Sequence, residues 1–233
     1  MAKLSPARAG VKLLPGQKVL SRGKVRDTYD LECNLLSSAT DGVSIFDFVL
    51  NALVPQKGII LNAMNHFWDN YLRQFGIQTH LVAVGSAIDE FLPENLRGNI
   101  DLQSRAVVVK RLKMAPVEFI ARAVLTGSAI KSYQKSSEVC GHKLMPGLQD
   151  GDELPFIMDT PTSKAEVGHD ENLPADEIRR KYPGQTYSLI QIFQIIAHKA
   201  KEQGIFLADT KLEFLSSALF YFYPIPKPYQ HQF

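Results

Sequence analysis

The sequence lacks the features that mark several common classes of protein. Its two cysteines, Cys33 and Cys140, lie far apart and outside any CxxC or Cys/His ligand spacing, so neither a disulfide framework nor a zinc site is indicated. No apolar run is long enough to span a bilayer, and the basic segment MAKLSPARAGVKLLPG contains no unbroken apolar stretch. We therefore expect a cytoplasmic protein that does not enter a membrane.

Charge of one sign is not in excess either. The 26 basic and 24 acidic residues give a net charge of +2 and are spread along the chain. Without a basic block to neutralise a phosphate backbone, the composition gives no support to nucleic-acid binding. The phosphate-binding fingerprints GxxxxGK[ST] and GxGxxG after a strand are also absent. Any nucleotide site must therefore be built in another way.

The order of the predicted elements indicates an α+β protein in two lobes, with Pro116 near their boundary. Two apolar stretches, QKVLS and CNLLSSAT, flank the polar GKVRDTYD and predict a hairpin with a long loop that could close over a ligand. Apolar residues at helical spacing predict an amphipathic helix over 58–76, with its apolar face in the core, and another helix over 187–202. The segment GIFLAD predicts a buried strand.

The segment RGKVRD is the first candidate for nucleotide binding. Gly23 permits a close approach of the backbone, and Lys24 and Arg26 place cationic donors beside it, which suits a polyphosphate lying under a hairpin. A solvated basic turn is the other interpretation, and this segment alone favours it.

The run KRLKMAPVEFIARAVLTGS is more informative because it places charges in an apolar strand. Glu118 and Arg122 are four residues apart, so both side chains lie on one face of a strand. They could hold a metal ion and an anionic substrate, or they could form a buried ion pair. Ser128 follows near a predicted helix start, where backbone amides and a hydroxyl can bind phosphate.

A third cluster, LADTKLEF, alternates Asp209, Lys211 and Glu213, which therefore share a strand face. Two carboxylates around a lysine suit a Mg²⁺-nucleotide site, whereas the other interpretation is an exposed polar face. The metal interpretation is favoured because the strand that leads into the cluster, residues 205–208, is expected to be buried.

The long segment 140–177 is punctuated by glycine, proline and aspartate, and loops of this length are usually functional or disordered. It contains PTSKAEVGHDEN, which is dense in hydrogen-bonding groups. His169 lies in this stretch, but a lone loop histidine is more often merely polar than catalytic. Upstream, Asp41 and Asp47 in TDGVSIFDF could either cap turns or contact a ligand.

Together these segments resemble the phosphoribosylaminoimidazole-succinocarboxamide synthase family over residues 14–214, in the same order and at similar spacing. The strongest match is MAPVEFIARAVLTGS, followed by LADTKLEF; GKVRDTYD, SIFDFVL, PQKG and PTSKAEVGHDEN are similar to further family blocks. The resemblance implies a kinase-like or ATP-grasp-like, β-rich N-terminal lobe over 1–113, with a hairpin covering ATP. It also implies a larger α+β lobe over 114–214, with ATP in the cleft between the lobes.

The reaction that the resemblance implies belongs to de novo purine biosynthesis. With ATP and Mg²⁺, the carboxylate of carboxyaminoimidazole ribonucleotide (CAIR) would be joined to the amine of L-aspartate, giving the succinocarboxamide nucleotide (SAICAR), ADP and phosphate. A carboxylate is a poor electrophile toward an amine, so ATP must first activate it, and positioning and charge neutralisation would supply the catalysis. The expected partners are these small molecules, not nucleic acid or a membrane, and assembly into a homo-oligomer is left open.

Roles for individual residues follow from the same resemblance. The ATP-side residues would be Gly23, Lys24, Arg26, Lys110, Leu112 and Asp209. The metal-side carboxylates would be Glu118, Asp209 and Glu213. The substrates would contact Ser128, Arg122, Asp41, Lys164 and Asp170. Lys211 and Arg122 would act in catalysis, with Lys211 neutralising charge that develops during phosphoryl transfer.

The last segment, 215–233, departs from the family pattern. Family members continue the EF of LADTKLEF with glycine and later with a segment resembling DEVLTPDSSRFW, whereas here Phe214 precedes a tail without arginine or a side-chain carboxylate. Its prolines, Pro224, Pro226 and Pro228, exclude a regular helix or a central strand. The tail predicts either a reading-frame change or truncation after Phe214, or a divergent relative that binds nucleotide without completing the reaction. The resemblance thus implies the ligase activity, with a catalytically impaired or inactive nucleotide-binding form as the alternative, because the C-terminal metal and substrate segment is absent.

Overall fold

The structure is a computed structural model that describes residues 18–45, 48–164 and 171–216. The chain divides into two compact units, Met1–Leu112 and Lys113–Phe233. Both units combine helices with antiparallel strands, which confirms the predicted α+β class. Within the described ranges, no helix combines the length and the apolar character needed to cross a membrane.

The first unit is built on a five-stranded antiparallel sheet. The sheet strands are β1 (Val19–Arg22), β2 (Arg26–Leu31), β3 (Asn34–Ala39), β6 (Leu81–Val84) and β7 (Ala106–Lys110). Their order across the sheet is β1-β2-β3-β7-β6. The remaining elements are the strand pair β4 (Gly42–Ile45) and β5 (Phe48–Leu53), the helices α1 (Lys57–Arg73) and α2 (Ile100–Arg105), and the 3₁₀ helices Gly85–Phe91 and Glu94–Leu96. A core cluster of this unit includes Tyr29, Leu36, Ile88, Leu102 and Val108.

The prediction of a long loop between the two strands is wrong. Only residues 23–25 join β1 to β2, and the polar stretch RDTYD belongs to β2 itself, which pairs with β3 over its whole length. The polar composition of this stretch does not suggest a strand, but its residues alternate between buried and partly exposed positions. Asp27 and Tyr29 are buried, whereas Thr28 and Asp30 are partly exposed.

Helix α1 confirms the predicted helix, but the expected burial of its apolar face is wrong. The buried residues of α1 are Gly58, Asn62 and Asp69. The apolar residues Ile60, Met64 and Phe67 are 58%, 48% and 46% exposed. Asn62 can be buried because its side-chain amide donates to the backbone carbonyl of Ser104 at 3.0 Å. The helix therefore meets the unit through a polar face.

A buried ion pair explains the position of Asp41. Its carboxylate is 0% exposed and accepts hydrogen bonds from Nη1 of Arg105 at 3.2 Å and from the amide of Gly58 at 2.8 Å. Gly58 must be glycine because a Cβ there would lie 2.6 Å from the carbonyl oxygen of Ala39. The resemblance implies that Asp41 contacts substrate; in the structure its carboxylate holds Arg105 and the start of α1, and the substrate role stays a prediction.

Removal of the Asp41 carboxylate is expected to destabilise the protein. In Asp41→Ala, the guanidinium of Arg105 keeps its charge in the interior without its buried partner, which costs about 3–5 kcal/mol of unfolding free energy. Denaturant unfolding followed by the fluorescence of Trp68, the single tryptophan, checks this loss in the first unit. The control is Asp101→Ala, which removes the partly exposed partner of Arg105. Equal losses in the two variants would contradict the prediction.

The second unit is organised around the nine-residue strand β8 (Val117–Leu125), every residue of which is buried. β8 pairs antiparallel with β11 (Asp152–Asp159), β12 (Thr162–Ser163) and β13 (Asp209–Leu212). The other elements are α3 (Ser128–Ser136), α4 (Ala175–Lys181), α5 (Pro183–Lys201) and the short pair β9 (Glu138–Val139) and β10 (His142–Lys143). The predicted helix over 187–202 is confirmed as α5, which begins earlier because proline is favourable in the first helical turn.

The predicted buried strand over GIFLAD is wrong. Ile205 and Phe206 are 60% and 56% exposed, and the strand begins only at Asp209. The strand forms where pairing with β8 begins, since the amide of Ala123 donates to the carbonyl of Ala208 at 2.8 Å. An apolar run indicates a tendency to be buried, but the pairing partner decides which residues form the strand.

Candidate active site in the second unit

Strands β8 and β13 place alternating charges on one face. Glu118 and Arg122 are each 7% exposed and share a face of β8, as the sequence predicts. The register sets Asp209 opposite Arg122 and Lys211 opposite Ile120. Because opposed residues of an antiparallel pair lie on the same face, the charges of both strands meet there.

The guanidinium of Arg122 is anchored inside the unit, and its terminal nitrogens contact exposed side chains. Its Nε donates to Thr160 Oγ1 at 2.9 Å, and Thr160 is only 2% exposed. Its terminal nitrogens contact Asp209 Oδ2 and Ser128 Oγ, each at 3.2 Å. The Asp209 side chain is 51% exposed and Ser128 is exposed. The terminal nitrogens therefore lie beside the surface, whereas Nε is bonded in the interior.

Glu118 lies between a hydroxyl and an ammonium group. Thr162 Oγ1 donates to Glu118 Oε2 at 3.2 Å, and the same carboxylate oxygen forms an ion pair with Nζ of Lys211. The Lys211 side chain is 50% exposed and that of Glu118 is 9% exposed. The pair thus joins an inner carboxylate to an outer cation.

A neighbouring ion pair lies at the end of β13. Nζ of Lys164 is 2.8 Å from Glu213 Oε1, and both side chains are partly exposed. This pair brings the long segment that contains Lys164 to β13. The remaining predicted substrate residue of this segment, Asp170, lies outside the described residues, as do His169 and Asp47.

The three carboxylates expected at a metal each face a cation. Glu118 faces Lys211, Asp209 faces Arg122, and Glu213 faces Lys164. Over residues 18–45, 48–164 and 171–216, no three His, Cys, Asp or Glu side chains are grouped so that they could hold a metal ion. A phosphate-bound Mg²⁺ needs only one or two carboxylates, because phosphate oxygens and water complete its coordination. The carboxylates of this face therefore supply the kind of oxygen donor that such an ion takes.

The first turn of α3 adds a second source of positive potential beside Arg122. Ser128 is the first residue of this nine-residue helix, and its hydroxyl accepts a hydrogen bond from Arg122. The first turn contains no acidic residue that would neutralise the helix dipole. Free backbone amides at a helix start bind anions, and here a guanidinium lies next to them. This combination suits a phosphate or carboxylate group.

The predicted ATP-side residues of the first unit lie at strand ends. Gly23 and Lys24 belong to the turn between β1 and β2, and Arg26 begins β2; the Gly23 amide donates to the Arg26 carbonyl at 2.7 Å. A Cβ on Gly23 would lie 2.9 Å from that carbonyl oxygen, so a side chain would open the turn. Lys24 and Arg26 are exposed, as is Lys110 at the end of β7, while Leu112 is partly buried.

A further charged cluster in the second unit has a structural role. The carboxylate of Asp159, at the end of β11, is bound by Nε of Arg179 at 2.9 Å and lies 3.1 Å from Nε2 of His142. Burial raises the pKa of Asp159, but the hydrogen bonds and charges of His142 and Arg179 outweigh it and hold that pKa below the ordinary value of 3.8. The cluster ties β10 and α4 to β11.

Asp159 is expected to stabilise the protein in a pH-dependent way. Because its folded pKa is depressed, its contribution is present above about pH 4 and is lost as the pH falls through the folded pKa. Asp159→Asn should lower the unfolding free energy at pH 7 by about 2 kcal/mol, since Arg179 loses its partner. Unfolding followed by circular dichroism from pH 7 to pH 3 should show the two proteins converging in acid. A pH-independent difference would contradict the assignment.

Cations and carboxylates that alternate across two strands of an α+β fold suit the binding of a metal-bound phosphate. The family model described as SAICAR synthetase matches residues 19–218. The chain belongs to this family of ligases, which confirms the resemblance seen in the sequence.

Individual relatives agree with the family assignment. The phosphoribosylaminoimidazole-succinocarboxamide synthase of Thermodesulfovibrio yellowstonii is 42% identical over 207 residues, covering 86% of this chain and 70% of the relative. The synthase of Schizosaccharomyces pombe is 36% identical over 207 residues, covering 84% of this chain and 67% of the relative. Much of each relative is thus represented in this chain.

Solved structures of the family share the fold. The SAICAR synthase of Saccharomyces cerevisiae complexed with SAICAR has a TM-score of 0.77 and 31% identity, covering 91% of this chain and 72% of that one. A SAICAR synthetase in complex with ADP has a TM-score of 0.62 at 22% identity, covering 85% of this chain and 75% of that one, and supports the fold alone.

The departure expected after Phe214 lies mostly outside the described residues. Phe214 is buried, and its ring meets that of Phe119 edge to face with the centroids 5.1 Å apart. Leu215 forms a bridge with Met114, and the Ser216 amide donates to the carbonyl of Lys113 at 3.1 Å. The family match also continues to residue 218. The family-like chain thus extends slightly beyond the predicted limit at 214.

Proposed function

We propose that this chain catalyses the ATP-dependent joining of the carboxylate of CAIR to the amine of L-aspartate, giving SAICAR, ADP and phosphate. The observation that carries the proposal is the network of Arg122, Ser128, Asp209, Lys211 and Glu118 in a member of the SAICAR synthetase family. No observation favours the alternative of a catalytically impaired, nucleotide-binding form.

Arg122 and Ser128 bind the phosphate of the ribonucleotide in this scheme. The terminal nitrogens of the Arg122 guanidinium contact the exposed Asp209 and Ser128 and would suit two phosphate oxygens at once, because the guanidinium is a planar, charged fork. The backbone amides at the start of α3 supply further donors. Asp209 would release part of its contact with Arg122 when the phosphate arrives.

ATP and Mg²⁺ would use the remaining predicted residues. Lys24 and Arg26 would contact the ATP phosphates beside the Gly23 turn, and the backbone from Lys110 to Leu112 would meet adenine. Glu118, Asp209 and Glu213 would supply carboxylate oxygens to Mg²⁺, which would neutralise phosphate charge. Glu213 follows β13 and would contribute only by leaving Lys164.

Two steps of chemistry are required. An oxygen of the CAIR carboxylate attacks the γ-phosphorus, the bond to the ADP oxygen breaks, and an acyl phosphate forms. The amine of aspartate then attacks the acyl carbon, phosphate leaves, and the nitrogen loses a proton. Lys211 offsets negative charge on the transferred phosphoryl group, and Lys164 and Asp170 would contact the imidazole nucleotide or aspartate.

Release of ADP, measured in a coupled assay, tests the proposed function. With the purified chain, ADP should form over many turnovers only when ATP, CAIR and L-aspartate are all present, and mass spectrometry should then detect SAICAR in equal amount. Binding of ATP by calorimetry without any turnover would contradict the proposal and indicate a non-catalytic nucleotide-binding protein. Cytoplasmic location, the absence of nucleic-acid partners and the oligomeric state stay predictions.

A further inference from the structure

The two threonines that flank Pro161 lie against the charged face of β8. Thr160 and Thr162 are 2% and 7% exposed. The Thr160 amide donates to the Ile120 carbonyl at 2.8 Å, and Thr162 lies opposite Glu118 in the register. Their even spacing puts both side chains on one face of the segment. The segment therefore brings two hydroxyl groups to the charged residues of β8.

The hydroxyl of Thr160 accepts the inner N–H of Arg122. The bond from Nε to Oγ1 is 2.9 Å long and buried. The terminal nitrogens contact Asp209 and Ser128, whose side chains are exposed. Because the guanidinium is planar and rigid, an acceptor that holds Nε also fixes the direction of both terminal nitrogens.

The neutrality of this acceptor is significant for an anion site. A carboxylate in place of Thr160 would neutralise Arg122 within the unit, and an apolar side chain would leave Nε as a buried donor without a partner. A hydroxyl satisfies Nε without adding a negative charge, so the charge of Arg122 is opposed by the exposed Asp209 and not by a second, buried carboxylate. Threonine therefore orients the guanidinium without cancelling it.

We propose that Thr160 is a positioning residue for the ribonucleotide substrate, acting through Arg122. Its hydroxyl keeps the terminal nitrogens of Arg122 directed at the substrate phosphate, and Thr160 itself does not touch the ligand. This inference rests on the proposed function, because it takes the phosphate of CAIR as the ligand of Arg122.

An isosteric substitution separates orientation from packing. Thr160→Val keeps the shape of the side chain but removes the acceptor, so the KM for CAIR should rise about tenfold while kcat and the KM for ATP change less than about twofold. Thr160→Ser retains the hydroxyl and should return the KM for CAIR to near that of the unaltered protein. A purely structural role would instead lower the unfolding midpoint and raise both KM values together.

Thr186→Val is a matched control for loss of a buried hydroxyl. Thr186 lies in α5 of the same unit, and its buried Oγ1 makes no hydrogen bond within the described part of the chain. The same chemical change at this position should leave the KM for CAIR unaltered. A rise equal to that of Thr160→Val would overturn the inference.

Calorimetric titration with SAICAR, which carries the same phosphate, distinguishes the inference from the proposed function. Weaker binding by both Thr160→Val and Arg122→Ala, with rescue by Thr160→Ser, supports the positioning role. If only Arg122→Ala binds SAICAR more weakly, the role of Thr160 is overturned and the proposed site stands. If Arg122→Ala also binds SAICAR normally, both are overturned.

Discussion

Replacement of Lys211 with methionine is expected to lower kcat by about 1,000-fold, the upper end of the effect of one preorganised group that stabilises transition-state charge. Methionine keeps much of the length of lysine and removes the charge. Nζ of Lys211 forms an ion pair with Glu118, and its side chain is 50% exposed, so it can face both the carboxylate and a ligand. Its loss removes the cation that offsets charge on the transferred phosphoryl group.

The effect should fall on chemistry and not on binding. Single-turnover kinetics with saturating ATP, CAIR and aspartate should show the slow step before ADP forms, and calorimetry should show ATP binding within about threefold of the unaltered protein. Lys143→Met is a suitable control, because that side chain is 86% exposed and its nearest carboxylate is 4.0 Å away. A kcat within tenfold of the unaltered protein in Lys211→Met would exclude the proposed role.

Sequence periodicity predicts which charged residues lie on the same side of a strand, but not which groups of other strands lie beside them. The two-residue repeat of a strand is fixed by backbone geometry, so Glu118 with Arg122, and Asp209 with Lys211, were predictable from spacing alone. The register of β13 on β8 then decides that Asp209 lies beside Arg122. Periodicity carries no information about register between strands more than 80 residues apart, so the sequence left both the ion-pair and the metal interpretations open.

The partners of the buried charges are hidden in the sequence for a related reason. Thr160 and Thr162 lie in the segment DTPTSK, and nothing in their residue type marks them. Each becomes informative only because its segment lies against β8. The one available signal is that buried Glu118 and Arg122 require hydrogen-bond partners, which implies that polar residues must reach β8 from elsewhere. That requirement predicts the existence of such residues but not their positions.

Helix α1 was predicted correctly as an element, but its packing was not. Its apolar spacing predicts a helix correctly, because the repeat of 3.6 residues is local. Which face is buried depends on what the neighbouring elements offer, and here carbonyl groups near α2 receive Asn62 while Phe67 remains 46% exposed. Local pattern therefore predicts the type of an element more reliably than it predicts its packing.

Arg122→Ala is expected to weaken binding of the ribonucleotide by about 1,000-fold, or about 4 kcal/mol, while ATP binding stays unchanged. The substitution removes both terminal nitrogens that would hold the phosphate and leaves Ser128 and the start of α3 as the remaining donors. It also leaves Asp209 without its ion-pair partner, but that side chain is 51% exposed, so water can solvate it. The loss should therefore appear in ligand binding more than in folding.

Calorimetry with SAICAR and, separately, with ATP and Mg²⁺ measures the two affinities. Arg180→Ala is the control, because Arg180 is an exposed arginine of α4 that donates to the backbone carbonyl of Asp176. Normal SAICAR binding by Arg122→Ala would show that the phosphate lies elsewhere. A parallel loss of ATP affinity would show instead that Arg122 belongs to the ATP side of the site. The selective loss of the ribonucleotide alone would place its phosphate at the meeting point of β8 and α3.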